Sequence, residues 1–300
     1  MATLATSPVP SRARVSPLTR LWQRRDAVFQ RLAMWLMVAI FVLPIVWAVS
    51  SSFKTRIELY STLPSLFPMD PTLANYQFAF QRMPAFFQQF TNSMLVSLGA
   101  VILQVSCASL AGYAFARLKF PGRDLLFYSM VMLIFVPRAG GLMAHYELMS
   151  FLGLRNSLFG LILAFSAGIA VPCFIMRQTF LNIPGVFEEA ALIDGCNRWQ
   201  AFWRIIAPMG TGGMVVVGLF EFIRVWGEFL FTLTMIDRRE LFTLGIGIVM
   251  AWADSNLLEG EFTTYGTQCA GYLLYAAPVI IFYIALQKWF IRGLTEGLKL

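Results

Sequence analysis

Charged side chains are scarce in this chain of 300 residues. Only 13% of the residues are Asp, Glu, Lys or Arg, whereas an ordinary soluble domain carries about 25%. Hydrophobic residues make up 58%, and the mean hydropathy is +0.67. A water-soluble fold of this composition would expose large apolar patches and aggregate. The composition therefore predicts a membrane protein, whose apolar surface is covered by lipid.

Groups that carry chemistry are also few. His145 is the only histidine, so a histidine-based metal cluster is not available. The four cysteines are far apart and form no Cys-x-x-Cys pair. No G-x-x-x-x-G-K-[ST] sequence is present to cradle nucleotide phosphates. We expect no catalytic residue, no metal site and no cofactor bound by this chain.

Long apolar segments fill most of the sequence. A helix needs about 20 such residues to cross the hydrocarbon core of a bilayer. Six segments meet this length, and the third is the weakest because Pro137, Arg138 and a Gly-Gly pair interrupt it. The predicted spans cover residues 32–53, 93–116, 125–142, 158–176, 214–233 and 269–290.

The basic residues indicate an orientation. With the N-terminus inside, fifteen Lys and Arg lie on the inner side and seven on the outer side, and an excess of Lys and Arg marks the cytoplasmic face. Both termini are therefore predicted to be cytoplasmic, with a basic tail over residues 1–31. Because the basic residues flank apolar spans, the net charge of +7 indicates lipid rather than nucleic acid as the partner. An outer loop rich in acidic residues is predicted over 234–268.

The inner loop at about 181–208 contains signals for two short helices. Pro184 suits the start of a helix, and the two glutamates that follow suit the positive end of its dipole. Gly195 is a natural stop. Asn197 with Gln200 three residues later resembles a capping box that begins a second helix.

Two interpretations of this loop are open from the residues alone. Small Ala190 and Ala191 beside apolar anchors such as Phe187 and Trp199 suit docking into a groove of another protein. The same amphipathic mixture also suits a helix that lies on lipid headgroups.

The loop resembles the EAA loop of permease subunits in binding-protein-dependent ABC importers. That family pattern is Glu-Ala-Ala, three residues, Gly, nine residues, Ile, one residue, Leu, Pro. This chain departs only at Ala207, where the family usually has Leu. The matching residues are Glu189, Ala190, Ala191, Gly195, Ile205 and Pro208.

Shorter stretches extend the resemblance over nearly the whole chain. They are similar to the carbohydrate branch, and in particular to the smaller permease of the maltose-transporter type. A glycerol-3-phosphate permease or another non-sugar ABC permease stays open as an alternative. The stretches are Asn75-Tyr76, residues 111–117, Trp-Gly-Glu-Phe at 226–229 and the ending at 290–297.

The resemblance implies an all-α type I importer permease fold with six transmembrane helices, whose transmembrane domain would cover residues 32–300. It implies that the EAA loop is a coupling helix that docks on an ABC ATPase dimer, which would bind ATP and Mg. A second permease subunit and an extracytoplasmic solute-binding protein are the other implied partners. The implied location is the cell (inner) membrane of a bacterium or archaeon.

Three ionisable residues lie within or beside the fifth span. Glu221, Arg224 and Glu228 are spaced so that one helical face can pair them. Such residues line a transport path or gate, or form a structural ion-pair triad or a link to the partner permease. The two carboxylates also leave an ion-coupled secondary transporter open, although that class does not explain the EAA loop.

Overall fold

The computed structural model describes residues 17–61, 65–136, 141–253 and 265–296. Within these ranges the chain is helical, without strands. The α-helices are α1 (Pro17–Ser52), α2 (Arg56–Leu59), α3 (Ala74–Arg82), α4 (Phe86–Arg117), α5 (Arg123–Met132), α6 (Leu142–Phe151), α7 (Leu158–Ser166), α8 (Ala170–Leu181), α9 (Val186–Ile193), α10 (Arg198–Ala201), α11 (Ala207–Met209), α12 (Thr211–Trp226), α13 (Leu230–Met235), α14 (Leu244–Ala253) and α15 (Tyr265–Glu296).

Three of the described helices are long and apolar enough to cross a membrane. They run over Val28–Ser52, Phe86–Arg117 and Tyr265–Ile291. Two further candidates are bent pairs: α7 with α8 at 55°, and the helical stretch Arg198–Met209 with α12 at 73°. The chain is therefore a multi-pass helical membrane protein with three to five candidate spans in the described ranges.

The predicted third span is not one long helix. α5 has ten residues and passes into a 3-10 turn at Leu133–Phe135. Ten residues rise only about 15 Å, which is half of the hydrocarbon thickness of about 30 Å. Pro137 and Arg138 of that prediction lie outside the described residues.

The predicted outer loop over 234–268 contains a short helix, α14, that the sequence did not indicate. Its Leu244, Ile246 and Ile248 are almost fully buried, and Leu244 and Ile248 pack in a core with Phe222 and Trp226 of α12. The acidic residues on either side suggested a loop, but the ten residues between them carry no charge. An apolar helix of this length is typical of a buried core element rather than a span.

The first helix begins before its predicted apolar segment. α1 starts at Pro17, a residue suited to the first helical turn, so part of the predicted tail is continuous with the span. The tail before residue 17 lies outside the described residues.

Small residues bring the central helices together. A Cβ at Gly112 of α4 would lie 2.6 Å from Met176 Cβ and 2.8 Å from the Arg177 amide of α8. In a membrane, close packing of this kind holds helices together, because lipid supplies no hydrophobic force between them. α4 therefore packs directly against α8, which leads into the inner loop.

Asn75 holds the end of α1 against the start of α15. Its buried amide donates to the carbonyls of Ser52 and Lys54 at 2.9 and 2.8 Å, and its Oδ1 accepts from the Thr267 hydroxyl at 3.2 Å. The neighbouring Tyr76 shares a hydrogen bond with the Ser52 hydroxyl. The Asn-Tyr pair singled out in the sequence therefore joins the ends of α1 and α15 through α3.

Candidate functional site: the inner loop and the cavity above it

The first inner helix ends as its sequence predicts. α9 carries Glu188 and Glu189 in its first turn. Gly195 has φ of +88°, a conformation that costs an L side chain roughly 1–2 kcal/mol. The amides of Cys196 and Gly195 bond back to the carbonyls of Ala191 and Leu192 at 3.0 and 3.2 Å, which is the pattern of a Schellman cap. The predicted glycine elbow is confirmed.

The second inner helix begins with the predicted capping box. Asn197 Oδ1 accepts from the Gln200 amide at 2.8 Å, and Gln200 Oε1 accepts from the Asn197 amide at 2.9 Å. The helix then widens into a π turn over Phe202–Ile206. Pro208 follows directly, and the axis bends by 73° near Gly210 before α12. A π turn and a proline are both usual causes of a helix bend.

The two adjacent glutamates point in different directions. Glu188 is 7% exposed, and its Oε1 accepts a 2.7 Å hydrogen bond from the Tyr113 hydroxyl of α4. Arg117 Nε lies 3.7 Å from the same carboxylate, and Arg198 Nη1 lies 3.8 Å from it. Glu189 is exposed, and its carboxylate makes no hydrogen bond or ion pair with any described residue. Glu188 therefore faces the bundle, and Glu189 faces away from it.

Arg117 ties this anchor to the end of α8. Its guanidinium donates to the Phe180 carbonyl at 2.8 Å and also to the Ile183 carbonyl. One arginine at the end of α4 therefore contacts both α8 and α9. The motion of α9 is thereby tied to two helices of the bundle.

The six residues of the EAA-like pattern do not share one surface. Glu189, Ala190, Gly195 and Pro208 are exposed. Ala191 is only 2% exposed, because it lies three residues after Glu188 on the face that packs inward. Ile205 is half-buried against the core. A docking contact made by the Ala191 side chain, as the resemblance implied, is therefore not available in this conformation.

An apolar surface surrounds the exposed members of the pattern. The side chain of Ile193 is 85% exposed, and that of Trp199 is 60% exposed. Val186 and Phe187 are also exposed. This partly apolar surface is better suited to docking in a groove of another protein than a purely polar surface would be.

The predicted triad is a pair. Arg224 Nε donates to Glu221 Oε2 at 2.9 Å, and Nη2 donates to Oε1 at 2.5 Å, where Glu221 is 4% exposed. Glu228 makes no ion pair with Arg224 within the described residues. α12 ends at Trp226, so the helical spacing that would align the third residue is lost. Glu228 Oε1 instead accepts from the Phe231 amide at 3.0 Å and caps α13.

A cavity of about 520 Å³ opens beside this pair. It lies between the break that separates α7 from α8, the break after α12, and α6. The polar residues that line it are His145, Arg224 and Glu228, and the aromatic ones are Phe165 and Phe231. No group of three His, Cys, Asp or Glu in the described ranges could hold a metal ion.

Local sequence signals predicted the glycine elbow and the capping box, but they did not predict the internal contact of Glu188 or the cavity. Nothing local distinguishes Glu188 from Glu189, and its partner Tyr113 lies 75 positions away. The only sequence signal was that residues 111–117 resemble a family stretch. The cavity was missed because its wall combines four separate elements.

Comparison with known proteins identifies the family. The chain is 32% identical over 273 residues to the galactooligosaccharides transport system permease protein GanQ of Bacillus subtilis, covering 90% of this chain and 94% of the relative. It is 30% identical over 285 residues to the maltose/maltodextrin transport system permease protein MalG of Vibrio parahaemolyticus, covering 89% and 93%. No family model matches the chain.

The fold also has a counterpart among solved structures. A chain in the crystal structure of a bacterial ABC transporter involved in import of the acidic polysaccharide alginate superposes with a TM-score of 0.79 at 21% identity, covering 92% of this chain and 99% of that chain. The resemblance drawn from the EAA-like loop is confirmed. The chain belongs to the family of ABC transport system permease proteins.

Proposed function

We propose that this chain is the membrane-spanning permease subunit of an ABC importer that translocates a sugar or a related polar solute. The observation that carries the proposal is the inner loop, in which two short helices meet at Gly195 and present an apolar surface around Glu189. The permease relatives, whose printed names specify galactooligosaccharides and maltose or maltodextrin, support a carbohydrate as the solute.

The chain itself would be no enzyme. ATP and Mg would bind to a partner ABC ATPase dimer, and the exposed Glu189, Ala190 and Gly195 would contact that dimer, with Glu189 facing a basic residue. Ile205 and Pro208 would set the angle at which the second inner helix joins α12. A second permease subunit would complete the path, and an extracytoplasmic solute-binding protein would deliver the solute.

The mechanism would follow from how the loop is attached. When the ATPases close on ATP, α9 would move with them. Glu188 links α9 to α4 through a buried hydrogen bond, so α4 would follow. The cavity would then open to one side or the other according to the nucleotide state, as a two-state equilibrium biased by ligand.

The proposed topology has six spans with both termini in the cytoplasm. Residues 1–31 would form a basic tail attracted to anionic lipid, and residues 32–300 the transmembrane domain. The location would be the cell (inner) membrane of a bacterium or archaeon.

The proposal is tested by purifying the tagged chain in mild detergent and identifying what accompanies it by mass spectrometry. Recovery of an ABC ATPase, a second permease and a solute-binding protein is expected, and the set reconstituted in liposomes should take up sugar only with ATP. A stable chain that drives uptake with an ion gradient and no ATPase would contradict the proposal. Glu189→Lys should abolish ATP-driven uptake without loss of membrane insertion.

A further inference from the structure

The cavity lies at the ends of α8 and α12 that are far from the inner loop. α8 has twelve residues and α12 has sixteen, so the breaks at their far ends lie about 18–24 Å from the inner loop. Broken helices near the middle of the membrane are a recurrent setting for transported solutes. The cavity volume of about 520 Å³ is within the range of small-ligand sites, roughly 300–1,000 Å³.

The cavity wall offers a hydrogen-bond donor and an acceptor that no described residue uses. Arg224 binds Glu221 through Nε and Nη2, and Nη2 also donates to the Phe165 carbonyl at 2.9 Å. Its Nη1 has no partner in the described part of the chain. Glu228 Oε1 is taken by the Phe231 amide, whereas Oε2 has no such partner there. A hydroxyl group of a solute can accept a hydrogen bond from Arg224 Nη1 and donate one to Glu228 Oε2.

The wall also carries an uncompensated negative charge. Glu221 neutralises Arg224 at hydrogen-bond distance. No Lys or Arg side chain among the described residues lies within 4 Å of the Glu228 carboxylate to form a salt bridge. Counted at their formal charges, Glu221, Arg224 and Glu228 sum to −1 beside the cavity. A second anion would meet this charge in a site partly screened from water, where repulsion is stronger than in solution.

Two aromatic rings form the apolar part of the same wall. The rings of Phe165 and Phe231 lie 5.3 Å apart between centroids at an angle of 52°. A site of this kind holds an apolar body against the rings and fixes its orientation by a few polar groups. A sugar ring, with C–H faces and hydroxyl edges, meets both requirements.

We propose that this cavity is the subunit's own contact site for the solute, and that Glu228 selects uncharged polyhydroxylated solutes against acidic ones. The inference rests on the proposed function and narrows its solute class. It separates this chain from the structural neighbour, whose transporter is involved in importing an acidic polysaccharide. Arg224 Nη1 and Glu228 Oε2 are assigned as the hydroxyl contacts.

The charge of the cavity is measurable without knowing the solute. In the complete importer, with the four native cysteines replaced by serine, Ala167→Cys places a thiol on the cavity wall. The thiol is labelled in parallel with a cationic and an anionic methanethiosulfonate of similar size. We expect the cationic reagent to react faster, relative to the rates of both reagents with a free thiol in solution.

Glu228→Gln should then lower the cation-to-anion rate ratio roughly tenfold, because one unit charge acts with opposite sign on the two reagents. The amide oxygen of glutamine can still accept from the Phe231 amide, so the cap of α13 is kept. Glu147→Gln on α6, outside the cavity lining, is the matched control and should leave the ratio unchanged. Leu142→Cys provides a second reporter if the first does not assemble.

A ratio that changes less than twofold in Glu228→Gln, or faster anionic labelling of the wild-type cavity, would overturn the inference. An importer that takes up sugar with ATP but labels without charge preference would refute this inference and leave the proposed function standing. A charge-selective cavity in a chain that binds no ATPase would refute the proposed function instead.

Discussion

The two adjacent glutamates of α9 allow a direct test of how the inner loop is attached to the bundle. Glu188→Gln removes the charge of the buried carboxylate, and Glu189→Gln makes the same chemical change one residue later on the exposed face. The pair therefore separates the internal anchor from the proposed contact with the ATPase. Each variant is the matched control of the other.

The expected loss in Glu188→Gln follows from its three neighbours. A hydrogen bond to a charged group contributes about 1.5–3 kcal/mol, and the Tyr113 hydroxyl at 2.7 Å is such a donor. Arg117 Nε is buried and has no hydrogen bond to a described residue. It forms an ion pair with the Glu188 carboxylate at 3.7 Å. The Arg198 side chain is 60% exposed, so its pair contributes little.

Together these contacts predict a free energy of unfolding lowered by about 2 kcal/mol in Glu188→Gln, since glutamine keeps an acceptor but not the charge. Glu189→Gln should stay within about 0.5 kcal/mol of wild type, as exposed substitutions usually do. At roughly 2–4 °C per kcal/mol, the first variant should melt about 4–8 °C lower. Tryptophan fluorescence of the purified importer in detergent measures both.

The functional readout should show the opposite division of roles. Glu189→Gln should weaken co-purification of the ATPase, whereas Glu188→Gln should retain the ATPase but hydrolyse more ATP per solute imported. Adding Tyr113→Phe to Glu188→Gln should lower the melting temperature by less than the sum of the two single changes, because both changes act on the same hydrogen bond. Equal melting temperatures for the two glutamate variants would refute the assignment of Glu188 as the internal anchor.

Three further predictions address other parts of the chain. Gly195→Ala should lower stability by roughly 1–2 kcal/mol because φ is positive there, whereas Gly185→Ala, whose Cβ would meet nothing closer than 3.7 Å, should not; thermal unfolding compares them. Glu221→Gln should reduce the yield of monodisperse protein on size-exclusion chromatography, since it removes the charged partner of a partly buried arginine. The hydrogen bond from Ser65 holds the pKa of Glu58 below its usual value, so this contact stabilises the segment around Glu58 at neutral pH and is lost as the pH falls through that lowered pKa. Limited proteolysis by an acid protease should therefore become faster below that pKa. Glu58→Gln should remove this dependence of the proteolysis rate on pH.

Local sequence signals predicted the inner loop well. The capping box at Asn197 and the stop at Gly195 depend on bonds between residues at most five positions apart, so their spacing in the sequence contains the information. The packing side of α9 does not. It depends on where α4 places Tyr113, and only the folded chain determines this.

The membrane elements were predicted less well, for a related reason. A count of apolar residues finds long spans such as α4, but it cannot tell a short buried helix such as α14 from a loop between charges. Helical spacing also assumed that α12 continues to Glu228. The helix ends two residues earlier, at Trp226, and this gives the third ionisable residue a different partner.

The inner loop and the cavity are joined by a short physical route. α12 begins one residue beyond the bend at Gly210 and ends at Trp226, and its fourteenth residue is Arg224 at the cavity wall. A Cβ at Gly210 would lie 2.5 Å from the Phe180 ring of α8, so the bend is packed rather than free. Coupling between distant sites requires an element with two discrete arrangements that both sites bias. A helix held at a packed bend can transmit a displacement, because a rotation about the bend would move Arg224 together with the rest of α12. We therefore expect a displacement of the inner loop to be transmitted along α12 to the cavity wall, about 20 Å away.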